Sequence, residues 1–201
     1  MRSGYLSKDP IINAFAKIHR FEFVPDDLAQ QAEADIPLPI GFGQTISQPS
    51  TVAFMLELLD PAKDQKILDV GSGSGWTTAL LSFIVGEKGT VVAIEKIKDL
   101  CDFGKKNVDK FHFVSDGIAQ FHCLSAEEGF DQMAPYDRIL VSASVDHIPQ
   151  AFKDQLALGG KMVIPVHNEI WYVEKKSSEE FEIEKFPGFA FVPFVIKTSK
   201  Y

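Results

Sequence analysis

One stretch constrains the fold more than any other. It is Ile67-Leu68-Asp69-Val70-Gly71-Ser72-Gly73-Ser74-Gly75, followed at once by Trp76-Thr77-Thr78-Ala79-Leu80-Leu81. An apolar run stops at three alternate glycines and a helix-forming run begins, so strand, tight turn and helix follow in little more than ten residues. Glycines let the backbone approach a ligand closely, and the helix N-terminus offers unpaired N–H groups to it. The spacing departs from the dinucleotide fingerprint, whose third glycine falls three residues after the second. That position is Trp76, whose indole would obstruct the close helix–strand packing that the third glycine permits.

From residue 66 onward the pattern alternates. Strands are expected at 66–70, 90–95, 119–124, 137–142 and 161–166, with helices at 75–85, 97–109 and 149–157. Such alternation predicts an α/β fold: a Rossmann-like, mainly parallel sheet with helices on both faces. The tail changes character, and 170–175, 181–186 and 189–196 read as antiparallel C-terminal strands. Upstream lies an N-terminal helical extension, with Asp9 as N-cap and Pro10 at the first helical position. A second short helix is expected over 26–33. Residues 35–49 read as loop, because two prolines and two glycines fall within seven residues. That loop is unusually apolar (Leu38, Ile40, Phe42, Ile46), so it is expected to pack over something. Pro49 then opens a helix. With 201 residues the chain fits a single domain: a helical and loop extension over 1–60, a ligand-binding core over 61–166 and the closing strands over 167–201.

Composition excludes several functions. The net charge of −8 argues against a nucleic-acid partner, and the short pairs Lys105-Lys106 and Lys175-Lys176 read as solvated surface. The five histidines show no ligand spacing, so no metal is expected. Cys101 and Cys123 make no disulfide framework, and Cys123, in an apolar run, reads as a buried thiol. No apolar run is long enough to span a bilayer and no leader is evident; a cytoplasmic, monomeric protein without a membrane partner is expected.

In open α/β sheets the ligand sits beyond the carboxyl ends of the strands. The strand after the glycine turn ends in Glu95, twenty residues past Gly75. A carboxylate there suits the ribose hydroxyls of an adenosine group, against the plainer reading of a strand-end surface charge. Asp69 either supports the turn or contacts the ligand. Gly71, Ser72, Gly73 and Gly75 complete the candidate cofactor residues.

These features resemble motif I of S-adenosylmethionine methyltransferases, and nearly the whole chain resembles the protein-L-isoaspartate O-methyltransferases. The most specific match is Pro37-Leu38-Pro39-Ile40-Gly41-Phe42-Gly43-Gln44-Thr45-Ile46-Ser47-Gln48-Pro49, which looks like that family's substrate loop. Leu68–Gly75, Ala134–Ile139, Gly159–Val166 and Phe191–Phe194 match as well. The resemblance implies S-adenosyl-L-methionine as cofactor and isoaspartyl-containing proteins and peptides as partners. It implies methylation of the free α-carboxylate, after which the ester collapses to a succinimide that partly reopens as aspartate. Ser47 corresponds to the family's active-site serine, against the plainer reading of a residue flanking a helix start. Thr45, Ile46 and Val192 are the implied substrate-binding residues. Asp35 stands where the family has an acid, with loop anchoring or catalysis as its role. His147 reads as a helix-entry residue rather than a base.

The chain departs from the family at two places. Ser125-Ala126 replaces an Asp-Gly pair whose carboxylate holds the adenine amino group, a change expected to cost about 1–2 kcal/mol of cofactor binding. Glu127 or Glu128 are the candidate substitutes. Ala190 stands where many members have Arg. The alternatives are a methyltransferase of the same fold for another carboxylate, or an S-adenosylmethionine-binding homologue with weakened catalysis.

Overall fold

The computed structural model describes residues 6–194. Helix α1 (Asp9–Lys17) begins one residue earlier than expected, with Lys8 as cap and Pro10 inside the first turn, where a missing N–H costs nothing. Short 3-10 turns follow at Arg20–Phe23 and Asp26–Gln31. The expected loop over 35–49 contains a regular element after all. β1 (Leu38–Gly41) and β2 (Gln44–Ile46) form an antiparallel hairpin. Its turn is made by Gly41, Phe42 and Gly43, all at positive φ. The glycines that argued against structure are what the turn requires. Helix α2 (Pro49–Leu59) opens on Pro49, as expected.

The core alternates β3 (Lys66–Val70), α3 (Trp76–Val85), β4 (Thr90–Glu95), α4 (Lys98–Asp109), β5 (Ala119–Cys123), β6 (Tyr136–Val141), α5 (Gln150–Gln155) and β7 (Leu156–Val166). β7 begins five residues earlier than expected, running through Gly159-Gly160. It is followed by β8 (Glu169–Lys175) and β9 (Phe181–Pro187). One seven-stranded sheet results, ordered β5-β4-β3-β6-β7-β8-β9. β3 to β7 are parallel, and β8 and β9 add antiparallel. The chain moves outward in opposite directions from β3 and β6, so the topological switch point lies between them.

Both faces are covered, unequally. Ile67, Val91, Leu140 and Val163 pack under α1–α4. Leu68, Val92, Ile139 and Met162 face α5 and the coil around Phe130, where Tyr136 donates its hydroxyl to the Phe130 carbonyl at 2.6 Å. The central strands are buried on both sides and hence read as nearly continuous apolar runs.

Three expectations are corrected. Residues 189–194 form no strand, because Gly188 turns the chain at φ +98° and Pro193 has no N–H for a ladder; residues 195 and 196 lie outside the described residues. Cys123 is exposed rather than buried, because β5 is the edge strand. Lys175 is not free in solvent: its ammonium donates to the carbonyls of Lys153 and Leu156 at 2.8 Å, closing the end of α5. Among the described residues no helix is long and apolar enough to cross a membrane, and no group of three or more metal-binding side chains occurs.

Candidate active site

A cleft lies over the carboxyl ends of β3, β4, β5 and β6, at the switch point. The glycine turn forms its floor. Gly71 and Ser72 donate their N–H groups to the Ile94 carbonyl at 2.8 and 3.1 Å, which ties the turn to β4. Gly73 N–H goes to Glu95 Oε2 at 3.0 Å, and Ile97 N–H to Glu95 Oε1 at 2.9 Å. Glu95 therefore closes the turn while lining the cleft. Each of its oxygens keeps a further lone pair for a ligand hydroxyl.

The remaining turn residues divide by role. Gly71, Ser72 and Gly73 line the cleft; Gly75 does not. At φ +90° Gly75 starts α3, and a β-carbon there would lie 2.7 Å from the Gly104 carbonyl oxygen. Its lack of a side chain lets α3 and α4 touch. The Ser72 hydroxyl is buried and has no partner among the described residues. A buried polar group in a cleft wall without a partner is the arrangement a polar ligand completes.

Asp69 lies beneath the cleft, fully buried. Its Oδ2 accepts from Thr78 Oγ1 at 2.6 Å and Thr77 Oγ1 at 2.9 Å, in the first turn of α3. Burial pushes its carboxyl up to about 6; the threonine hydroxyls oppose that rise and the Glu95 charge adds to it. Asp69 lies under the turn, its partner Thr77 lines the cleft, and its Oδ1 is buried without a partner among the described residues.

The roof is built from segments distant in sequence. Ile40, Gln44, Thr45, Ile46 and Ser47 reach over from the hairpin β1–β2, and the Ile40 side chain packs directly over Gly73. Val192, Pro193 and Phe194 close the other side. This strap is tethered through Ser144, whose N–H donates to the Val192 carbonyl at 2.8 Å and whose carbonyl accepts from Phe194 N–H at 2.7 Å. A second groove opens on the outer side of Ser47 and shares Thr45, Ser47, Ser142 and Val192 with the cleft, continuing over Pro37, Gln48, Thr51 and Ala190. Ser47 thus stands at the junction of the two.

Of the residues expected at the site, Thr45, Ile46, Ser47, Val192, Gly71, Ser72, Gly73, Glu95 and Ala126 meet in one cleft. Ser125 does not join its lining. Its hydroxyl donates to Glu127 at 3.1 Å while Leu124 and Ala126 form the wall. Asp35 Oδ1 accepts Ser50 N–H at 2.9 Å in the first turn of α2, tying the loop to the helix. His147 is exposed in the coil before α5 and lies outside the cleft. Sequence reasoning missed Arg20, a lone arginine in an apolar segment whose partners are visible only in three dimensions, and Gln155. The Gln155 amide accepts Phe130 N–H at 2.8 Å and donates to the Glu128 carbonyl at 2.7 Å, fixing the coil that leads away from Ala126.

The family model for protein-L-isoaspartate(D-aspartate) O-methyltransferase matches residues 1–199. The protein-L-isoaspartate O-methyltransferase of Methanopyrus kandleri is 42% identical over 196 residues, covering 96% of this chain and 86% of its own length. That of Pyrococcus abyssi is 38% identical over 201 residues, covering 96% and 90%. Among solved structures, one protein-L-isoaspartate O-methyltransferase superposes with a TM-score of 0.81 at 29% identity, over 92% of this chain and 61% of that one. A Plasmodium falciparum structure of the same description, in complex with S-adenosyl-L-homocysteine, shares the fold with a TM-score of 0.84 at 22% identity, over 96% of this chain and 93% of its own. A match over nearly the full length, relatives of this identity and a cleft built at the switch point agree: the chain belongs to the protein-L-isoaspartate(D-aspartate) O-methyltransferase family.

Proposed function

We propose that this protein transfers a methyl group from S-adenosyl-L-methionine to the free α-carboxylate of L-isoaspartyl residues, as a repair enzyme for damaged proteins and peptides. The observation that carries this reading is the convergence of Ser47, the glycine turn and Glu95 on one cleft. The residues present fit the cofactor. Glu95 has lone pairs left for ribose hydroxyls, the Ser72 hydroxyl has no partner among the described residues, and the bare backbone from Gly71 to Gly73 admits the amino-acid portion. Leu124 and Ala126 offer an apolar wall to the adenine.

When bound, the cofactor supplies an electrophilic methyl group on a sulfonium sulfur. The acceptor is already an anion, so this chain need not provide a strong base, and among the described residues no histidine lines the cleft. Its residues bind, orient and exclude water. The Ser47 hydroxyl donates to one carboxylate oxygen and turns the other toward the cleft. Thr45, Ile46 and Val192 hold the peptide around it, and the apolar roof strips water from the carboxylate. Alignment of this kind supplies on the order of 7–11 kcal/mol of a barrier at best.

The groove outside Ser47 gives the flanking peptide a place to lie. The acidic net charge supports a protein acceptor over nucleic acid, and we read the enzyme as a cytoplasmic monomer. Labelled S-adenosylmethionine with two peptides that differ only in Asp versus isoAsp tests the proposal. Label is expected on the isoAsp peptide alone; cofactor binding without transfer to either peptide overturns it.

A further inference from the structure

The geometry points to Arg20 as a positioning residue for the acceptor side of the site, one that sets Ser47 by gripping the backbone at both ends of the hairpin. This rests on the role of Ser47 given above. Arg20 is 2% exposed, among the most buried large side chains of the protein. A guanidinium removed from water normally takes a carboxylate partner, because an uncompensated buried charge is costly. Here, among the described residues, the hydrogen-bond partners are four main-chain carbonyls. Nη1 donates to Ala32 at 2.7 Å and Ala34 at 3.2 Å, and Nη2 donates to Ile36 at 2.9 Å and Ile46 at 3.2 Å. Three of these lie on the segment entering the hairpin and the fourth on its last residue. Burial draws the guanidinium down to about 10, while the charges of Glu33 and Asp35 act against that fall.

The fourth bond matters most. The Ile46 carbonyl belongs to the peptide unit whose nitrogen is that of Ser47, so Nη2 fixes the plane from which the Ser47 side chain departs. Three residues on, Ser50 N–H is held by Asp35, which lies in the segment that Arg20 grips. Both ends of the short span carrying Ser47 are thus tied to residues 32–36. The guanidinium also lies 5.6 Å from the centre of the Trp76 ring. Trp76 opens α3 directly after the glycine turn and lines the cleft. One side chain therefore connects the hairpin bearing Ser47 to the turn that faces the cofactor. Only a planar fork spans these carbonyls while lying against an indole. An ammonium offers three donors from a single point.

Arg20→Met and Arg20→Lys test this, assayed well below each variant's melting temperature. A displacement of about 1 Å at a site requiring in-line alignment costs about a hundredfold. For Arg20→Met, kcat/KM toward an isoAsp peptide is expected to fall about tenfold to a hundredfold, with Arg20→Lys between it and the wild type. The Kd for S-adenosyl-L-homocysteine stays within about threefold, since no residue expected to hold it is altered. A role in stability alone would lower the melting temperature and leave kcat/KM unchanged at low temperature. Amide hydrogen exchange supplies a readout independent of activity. Residues 44–50 are expected to exchange at least about tenfold faster in Arg20→Met, with β3 and β6 unaffected. If Arg20→Met does not fold, Asp35→Asn loosens the other end of the span and is expected to shift exchange and kcat/KM in the same direction. Unchanged exchange over 44–50 overturns the inference, as does kcat/KM within about twofold of wild type, or a loss wholly accounted for by cofactor affinity. Absence of transfer by the wild-type enzyme overturns the proposed reaction instead, and the exchange measurement still decides the role of Arg20.

Discussion

Glu95 accepts the N–H of Gly73 at 3.0 Å, so the acid at the end of β4 holds the turn after β3 in the shape that makes the floor of the cleft. Its other oxygen takes Ile97 N–H. Both protein partners are donors. In Glu95→Gln the amide nitrogen must face one of them, donor against donor. Hydrogen bonds to a charged group contribute about 1.5–3 kcal/mol. Glu95→Gln is therefore expected to weaken S-adenosyl-L-homocysteine binding by at least about tenfold, and to lower stability without ligand by about 1–2 kcal/mol. Calorimetric titration and a urea melt check the two parts. Unchanged affinity would mean that Glu95 serves the turn alone.

Gly75 and Gly117 separate conformational strain from crowding. Both have positive φ, +90° and +79°, but a β-carbon at Gly117 meets nothing within 4 Å. At Gly75 it would lie 2.7 Å from the Gly104 carbonyl and 2.8 Å from Val108. Gly117→Ala is expected to cost about 1–2 kcal/mol for the left-handed backbone. Gly75→Ala adds overpacking of about 1–3 kcal/mol as α3 is pushed from α4. Denaturant midpoints of the two variants, compared with wild type, give the difference directly. Equal losses would show that α4 yields to the extra methyl group.

What the sequence displays follows from how local each feature is. The turn from Gly71 to Gly75, the ends of β3 and β4, and the position of Glu95 depend on neighbours in the chain, so spacing and periodicity expose them. The hairpin β1–β2 was hidden because its prolines and glycines signal coil. A two-stranded ribbon needs few ladder bonds, and Gly41 and Gly43 supply its turn. The segment at Val192–Phe194 carries the apolar pattern of a strand, yet among the described residues its backbone bonds to the sheet side go to Ser144. Arg20 was the least visible, since nothing in a sequence marks which carbonyls a buried guanidinium will gather.

Asp69 gives a pH dependence of defined sign. Its native carboxyl, raised by burial to about 6 from an ordinary 3.8, holds its proton more tightly than the unfolded chain does. Its contribution to stability is fully present below the unfolded value and is lost as pH rises through about 6. The whole swing is about 3 kcal/mol at most. Asp69→Asn cannot ionise, so the stability of wild type relative to this variant is expected to fall between pH 4 and pH 8. Asp60 titrates the other way. Burial raises it, but Lys8 and Lys161 more than offset that and bring it to about 2. Present in both proteins, it cancels in the difference. Urea melts of the two proteins across this range check the prediction, and parallel curves would contradict it.

The two thiols report on the same edge of the cleft. Cys123 is exposed at the end of β5, paired across the ladder with Glu95, and its sulfur lies 3.9 Å from the Lys96 carbonyl. Cys101 is 4% exposed in the first turn of α4. Burial, with the neighbouring Cys123 adding to it, pushes the Cys101 thiol up to about 11, which leaves little thiolate to react at neutral pH. With iodoacetamide the folded protein is expected to take up one equivalent quickly and the second only on unfolding. Peptide mapping should place the first on Cys123, and Cys123→Ser should abolish the fast phase. Because Glu95 and Lys96 line the cleft, saturating S-adenosyl-L-homocysteine is expected to slow the labelling of Cys123 several-fold without altering that of Cys101. Equal rates with and without ligand would mean that the bound ligand leaves this end of β4 and β5 as open as it is in the free protein.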